Sequence, residues 1–437
     1  MTTRTTTRRQ FLRTAAAAGL SAPLVAIPRA GAAPVGGELR VGAIGVGGKG
    51  WGDIIETTKE HARVVAICDI DAGNLAKAAK RFPDAKTFTD WRELLRMDGL
   101  DAVTVSTPDH THAPATMTAM RRGLHVYCQK PLTHSVWEAR QIALAATKYG
   151  VVTQMGTQGR STAESMITVE LLRRKAIGRI RQIHLWTNRP IWPQGLERPP
   201  AKPVPAGVSW DTWIGVAPYR DYHDHLHGFA WRGWLDFGTG ALGDIGCHSL
   251  VHLWDGLQLK APTQIWSDGD PPNGETYPKS SVIHYAFPAN DLTGGEFELI
   301  WYDGGALPDR KLFPFMPSNW KVPDGGNLIV GDDGFIQGHR LYPSAKFSGY
   351  AYPKVTGDDH YMQWTRACLD RSRKTLCPFD TLAGPVTEAV LLGNVALRFP
   401  GKKLNWDTAA CAFPGFPDAD RFLRRTYRKG WTIDGLG

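Results

Sequence analysis

The sequence lacks long hydrophobic runs: no segment beyond the first 33 residues reaches the ~18 apolar residues that a membrane-spanning helix requires. Cysteine is scarce, with six in 437 residues at Cys68, Cys128, Cys247, Cys368, Cys377 and Cys411. None form a CxxC pair, so the spacing fits no zinc ribbon and prescribes no disulfide. Small buried apolar positions are their expected use. Internal repeats, low-complexity tracts and long Lys/Arg runs are also missing. What is present is core-forming material: 42% of residues are hydrophobic and 21% charged. That balance excludes large-scale disorder, and at roughly 100–200 residues per domain it suggests two or three domains. The 16 Trp residues are more than packing alone usually needs, though core and interface packing should take most of them.

The formal charge of +9 overstates the basic character of the chain. Arg4, Arg8, Arg9, Arg13 and Arg29 precede residue 34 without an offsetting acid, and removing these five leaves +4. A mild excess spread over the remaining chain does not indicate a nucleic-acid partner. The leading segment reads as an address. Thr7-Arg8-Arg9-Gln10-Phe11-Leu12 has the form of a twin-arginine export signal. A mildly apolar stretch from Ala15 to Ile27 follows, and Ala30-Gly31-Ala32 fits a small-residue cleavage site. The expectation is a signal peptide over 1–33 and a periplasmic or extracellular destination. This route carries folded proteins, so any cofactor would be acquired before export and held tightly.

The apolar run Leu39-Arg40-Val41-Gly42-Ala43-Ile44 suits a buried parallel strand. It leads into Gly45-Val46-Gly47-Gly48-Lys49-Gly50, a GxGxxG match. In that motif the glycines permit a tight turn, close approach to a pyrophosphate and close helix–strand packing. The following helix would present its N-terminal amides to the phosphates. A second apolar strand, Arg63 to Cys68, ends at Asp69, about 20 residues past the loop, where a ribose-binding carboxylate belongs. Such a carboxylate accepts from ribose hydroxyls and repels a 2′-phosphate, which favours NAD over NADP. Asp71 is the poorer candidate. The βα rhythm continues with a helix over 90–97, a strand over 102–106, and the stretch Thr107-Pro108-Asp109-His110-Thr111-His112 as a loop at its carboxyl end. Helices are expected over 113–122 and 135–148, and strands over 125–128 and 151–154.

Gln129-Lys130-Pro131 follows one of these strands, and Gly243-Asp244-Ile245-Gly246-Cys247-His248 comes later. With the glycine loop and the TPxxxH-type stretch, these motifs resemble the Gfo/Idh/MocA oxidoreductases. Their usual tripeptide is Glu-Lys-Pro, so Gln129 removes a charge beside Lys130. The resemblance covers nearly all of the chain after the signal. It implies an α/β Rossmann domain (34–155) and an α+β substrate and oligomerisation domain (156–380) with a large, open, mostly antiparallel sheet. Residues 381–437 would supply a helix packing back on the first domain, and a tail. Gly45, Gly47, Gly48, Gly50, Asp69, Thr107, Pro108, His110, His112, Gln129 and Lys130 are the expected cofactor contacts.

Oxidation of an alcohol needs a base for the hydroxyl proton and a cation near the oxygen. Asp244 and His248 are four apart and share a face if 244–253 is helical. His248 is the candidate acid/base because its reference pKa of about 6.5 allows both proton states near neutrality. Asp244 would orient the ring or bind a hydroxyl, and Lys130 would hold the reacting oxygen. Gln158, Arg160, Tyr222, His223, Trp231 and Arg232 are candidate substrate contacts. Arg160 could equally pair with a neighbouring acid. The run Tyr222-His223-Asp224-His225-Leu226-His227 invites a metal, but its sequence offers no obvious further partner, and no metal is expected. The function read from these residues is NAD-dependent oxidation or reduction of a sugar, sugar derivative or cyclitol by a homo-oligomer. An NAD-dependent glycoside hydrolase is the alternative, and it needs a second acid/base drawn from Tyr222, His223, His225 or His227.

Overall fold

The computed structural model describes residues 37–437. The expected export signal lies outside the described residues. Six strands form one sheet: β1 (Leu39–Ile44), β2 (Ala62–Cys68), β3 (Lys86–Phe88), β4 (Ala102–Val105), β5 (His125–Cys128) and β6 (Thr153–Met155). Their order is β3-β2-β1-β4-β5-β6 and every pairing is parallel. Val103, Val105 and Val126 are fully buried, as expected of strands covered on both faces. The helices α1 (Gly48–Thr57), α2 (Ala72–Arg81), α3 (Trp91–Leu94), α4 (Asp109–Arg121) and α5 (Val136–Tyr149) make the crossovers. Strand order reverses between β1 and β4, and the crevice outside the carboxyl ends of those strands is where open α/β sheets bind ligands.

Two local expectations fail here. The helix read over 90–97 holds α-geometry only over Trp91–Leu94, with Asp90 capping it. The loop read over 107–112 is shorter, because α4 starts at Asp109, a full turn before Ala113. Pro114 is not at the first turn of the helix. Instead Asp109 supplies the negative charge that a helix N-terminus favours, and Pro114 sits in the second turn.

After α6 (Ala163–Arg173) comes the second sheet, starting with β7 (Ile180–Trp186). The short α7 (Trp210–Ile214) and the long α8 (Gly240–Leu257) interrupt it before β8 (Gln264–Asp268), β9 (Ser281–Phe287), β10 (Thr293–Asp303), β11 (Gly326–Gly331), β12 (Phe335–Gln337) and β13 (Arg340–Tyr342). With β14 (Leu404–Asn405) on its far edge, the order is β13-β12-β11-β7-β10-β9-β8-β14. Only the β7–β10 pair is parallel, so the sheet is mixed but mostly antiparallel.

Helices α9 (His360–Leu369) and α10 (Gly384–Ala396) bring the chain back to the first domain. α9 packs on α1 and β1, while α10 packs on both α5 and α8. The return therefore begins near residue 360, with a helix that the sequence places over 358–371. α8 is thereby packed among α10, α6 and β10 of the second sheet. Leu242, Cys247, Leu250, Val251 and Leu253 on its buried faces anchor it in the main core, which fixes Asp244 and His248 at the domain junction.

Candidate active site

A cavity of about 960 Å³ runs from the glycine loop, past the carboxyl ends of β1, β4 and β5, to one face of α8. Its walls at one end are mostly main chain. Gly45 has φ +81°, and a Cβ there would lie 2.7 Å from the Ser106 carbonyl oxygen. A Cβ on Gly50 would collide with the Gly45 carbonyl. Gly48 (φ +48°) has open space around it, and no side chain caps α1 behind it. The Gly48 and Lys49 amides at the start of α1 are thus left for a ligand, while Gly50 N donates to the Gly47 carbonyl, and the positive end of the helix favours an anionic ligand.

Asp69 stands beside this turn. Its Oδ2 accepts hydrogen bonds from Val46 N (2.9 Å) and Gly47 N (3.0 Å), and its Oδ1 from Asp71 N (2.9 Å). Burial raises its carboxyl above the ordinary range, with those amides opposing the rise. Asp69 therefore braces the loop as well as facing the cavity. Asp71 is occupied as the cap of α2. Bare amides, an open glycine cradle and a carboxylate at the end of β2 fit the diphosphate and ribose of a dinucleotide.

Beneath the loop, buried Asp53 accepts from Ser106 Oγ (2.7 Å) and Gln129 Nε2 (2.8 Å) and pairs with Lys49 Nζ at 2.8 Å. This explains Gln129. A glutamate there would press a second carboxylate against Asp53, whereas the amide donates to it.

At the other end the walls are side chains. Lys130 Nζ donates to Asp244 Oδ1 (2.6 Å) and to the Asp244 main-chain oxygen (2.9 Å). Arg232 Nε lies 3.4 Å from the same Oδ1. Burial opposes ionisation of Asp244, but Lys130 and Arg232 outweigh it and hold the carboxyl below its ordinary range. His248 lines the cavity one turn further along α8. Burial, with the positive charge of Lys130, drives its pKa down to about 3. The imidazole is thus neutral at neutral pH and a weak proton acceptor, rather than divided between two states as its reference pKa suggests.

A group titrating near neutrality does occur, at a residue the sequence reading passed over. Asp109, in the first turn of α4, lines the cavity and accepts from Thr239 Oγ1 at 2.6 Å. Burial raises its carboxyl to about 7, against the Thr239 hydrogen bond and the charge of Lys130. It lies inside the quoted 107–112 motif, so the signal was there. His227, Arg189, Trp192 and Phe229 also line the cavity and come from irregular segments with no local pattern to flag them. The Arg232 guanidinium sits 4.3 Å from the ring centre of Trp231 and 4.5 Å from that of Phe229, which fixes its plane across the cavity wall.

Gly45, Gly47, Gly48, Asp69, Thr107, Pro108, Gln129, Lys130, Gln158, Trp231, Arg232, Asp244 and His248 all line this cavity. Gly50 supports it from behind. Five expected residues sit elsewhere. His110 is buried with its ring between the carbonyls of Phe237 and Trp213, and His112 with its ring between those of Pro131 and Thr107. Both tie α4 to neighbouring loops rather than reaching a ligand, a role set by the early start of that helix. Tyr222 packs against Trp210, and His223 lies against Trp234. Arg160 is paired with Asp255, as the ion-pair reading of it allowed.

Two family models match the chain. Residues 39–157 match the NAD-binding Rossmann fold of the GFO_IDH_MocA oxidoreductase family, and residues 176–276 match the C-terminal alpha/beta domain of the same family. Together they span half the chain. The chain belongs to the Gfo/Idh/MocA oxidoreductase family. It is 31% identical over 144 residues to inositol 2-dehydrogenase of Rubrobacter xylanophilus, covering 32% of this chain and 41% of that one. It is 27% identical over 173 residues to levoglucosan dehydrogenase of Pseudarthrobacter phenanthrenivorans, covering 40% and 37% respectively. The chain thus spans less than half the length of these curated relatives. Over most of its length, this Gfo/Idh/MocA chain is similar in fold to the WlbA dehydrogenase from Bordetella pertussis in complex with NADH and UDP-GlcNAcA. The TM-score is 0.59 at 15% identity, covering 85% of this chain and 99% of that one.

Proposed function

We propose that the protein is an NAD-dependent oxidoreductase acting on a secondary alcohol of a sugar, sugar derivative or cyclitol. The observation that carries this reading is one continuous cavity. It has dinucleotide-type main-chain amides and Asp69 at one end, and Lys130, Asp244 and a neutral His248 at the other. When bound, the dinucleotide supplies the two-electron acceptor for the hydrogen leaving the carbon. Lys130 Nζ, already positioned by Asp244, holds the alcohol oxygen and stabilises its developing negative charge. His248 Nδ1 or Nε2 takes the hydroxyl proton. Asp244 stays ionised and keeps Lys130 in place. Trp231, Trp192 and Phe229 offer flat apolar faces to a sugar ring and exclude water. Asp69 favours NAD over NADP, because a 2′-phosphate would face its carboxylate.

The relatives act on inositol and levoglucosan by name, which supports a polyol substrate. The twin-arginine-like leader supports export with the cofactor already bound and held tightly. Oligomer assembly is supported by the face of the second sheet opposite α8 and α10, where Gln182, His284 and Glu298 form a partly exposed hydrogen-bonded ladder. One observation favours the glycoside-hydrolase alternative. With Tyr222 and His223 off the cavity, Asp109 supplies a second proton-exchanging group there, alongside His227.

Product analysis tests both readings: the NAD-loaded protein is screened against sugars, cyclitols and aryl glycosides. A keto sugar or lactone with net nicotinamide reduction supports the first. Free aglycone with no net redox change supports the alternative. Inertness of an NAD-loaded protein toward every polyol and glycoside tested would remove both.

A further inference from the structure

A second cavity, of about 280 Å³, lies on the other side of Thr239 from the active site, between the end of α10 and the 422–426 segment. Its lining is unusually basic. Arg398, Arg424 and Arg425 all face it, and among the described residues none of them forms an ion pair. The lone acid in its wall, Asp236, is engaged by Arg220 at 3.0 Å. Aromatic rings hold two of the guanidinium groups by their faces: Arg424 stacks 3.4 Å from the ring centre of Trp137, and Arg398 4.2 Å from that of Phe422. Stacking of this kind leaves the hydrogen-bonding edges unused.

Among the described residues, three buried polar atoms around this cavity also lack partners: Arg425 Nη1, His134 Nε2 and Asn394 Oδ1. Asn394 is only 7% exposed and its amide nitrogen is spent on the Thr239 carbonyl at 2.9 Å, which leaves the oxygen as an unanswered acceptor. Arg425 Nη2 is spent on the Asp236 carbonyl at 3.0 Å, which leaves Nη1 as an unanswered donor. Buried groups of this type are costly unless a partner answers them. Clustered guanidinium donors call for an oxyanion, and the Asn394 acceptor calls for a hydroxyl on the same ligand.

We propose that this cavity binds a small oxyanion that also carries a hydroxyl, of the hydrogen-phosphate or hydroxy-carboxylate type. The site does not depend on the reading of the active site. Asn394 donates to the Thr239 carbonyl and the Thr239 hydroxyl donates to Asp109, so an occupant bonded to Asn394 would sit three hydrogen bonds from the active-site carboxyl.

Calorimetric titration of inorganic phosphate into the full chain, with and without saturating NAD, tests the proposal. Glucuronate in a second titration separates a phosphate source from a sugar-acid source. One saturable site that survives NAD is expected for at least one probe. Arg398→Gln and Arg425→Gln should each weaken it at least about tenfold, the loss expected for charge-assisted hydrogen bonds. Arg189→Gln, in the other cavity, should leave it unchanged. If either buried-site variant fails to fold, the exposed Arg424→Gln is read instead and should still weaken binding. Absence of binding by both probes at ~10 mM, weaker than millimolar affinity, overturns the proposal. So does competition by NAD, or binding lost in Arg189→Gln but kept in the arginine variants.

Discussion

The two ends of the main cavity are built from different materials. Around Gly45–Gly50 the ligand-facing groups are main-chain amides, held by Gly45 and Gly50, whose Cβ positions are blocked, by Gly48 at positive φ, and by a carboxylate 22 residues past Gly47. At the far end they are side chains, and the central contact, Lys130 to Asp244, joins residues 114 apart. The first end is set by local chain geometry and should tolerate few changes at its glycines and many elsewhere. The second depends on the second domain delivering α8 to the junction, so single side chains there should control chemistry without controlling cofactor binding.

The strongest way to break this contrast is Gly50→Val. Its Cβ would collide with the Gly45 carbonyl, so NAD affinity should fall by about 100-fold or more, some 2.7 kcal/mol. Fluorescence titration with NAD checks it, and near-wild-type affinity would refute the main-chain cradle. Next come Lys130→Ala and His248→Ala, each expected to lower turnover by roughly 10²–10⁴. Their NAD affinity should stay within about threefold of wild type, well under 1.4 kcal/mol. Normal turnover in His248→Ala would remove it as the base.

Gln129→Glu probes the joint between the two ends. It would set a carboxylate against buried Asp53, with an expected loss of about 1–3 kcal/mol at neutral pH. The new carboxyl would have a raised folded-state pKa, so the loss should shrink as pH falls toward its ordinary value of about 4.3. Thermal melts across pH read this directly. The last test is at Asp109, where the signature is a slope with pH rather than a loss at one pH. Its folded-state pKa of about 7 lies above the ordinary 3.8, so the native state holds a proton that the unfolded chain has lost between those values. Stability from this group is full below about 4 and declines as pH rises to about 7. Asp109→Asn should flatten that slope in melting curves and remove any rate inflection near neutrality.

The same contrast explains what could be read from sequence. The strand–glycine loop–helix unit, Asp69 and the parallel order of strands are written within short windows, in apolar runs and turn glycines. The Lys130 and Asp244/His248 motifs were visible as residues, and the helical spacing of the latter pair was visible too. Their meeting was not, because it depends on α10 pressing α8 against the first domain. The protonation of His248 is not legible in the sequence, since burial and the Lys130 charge are tertiary effects. His110 and His112 were misjudged because a helix beginning at Asp109 turns both rings toward backbone carbonyls. Trp192, Arg189 and Phe229 carry no periodicity, and only the fold brings them to the cavity wall.

The central claim is that the Gly45–Gly50 turn, through its Gly48 and Lys49 amides, holds a nicotinamide dinucleotide whose reactive end reaches Lys130 and His248. Mass spectrometry of the small molecules released by denaturing natively purified protein, after equilibration with NAD and removal of excess, tests it most directly. The account predicts about one NAD per chain, lost in Gly50→Val and kept in His248→Ala. A wild-type protein that emerges empty, and that takes up neither NAD nor NADP at ~1 mM, would contradict it.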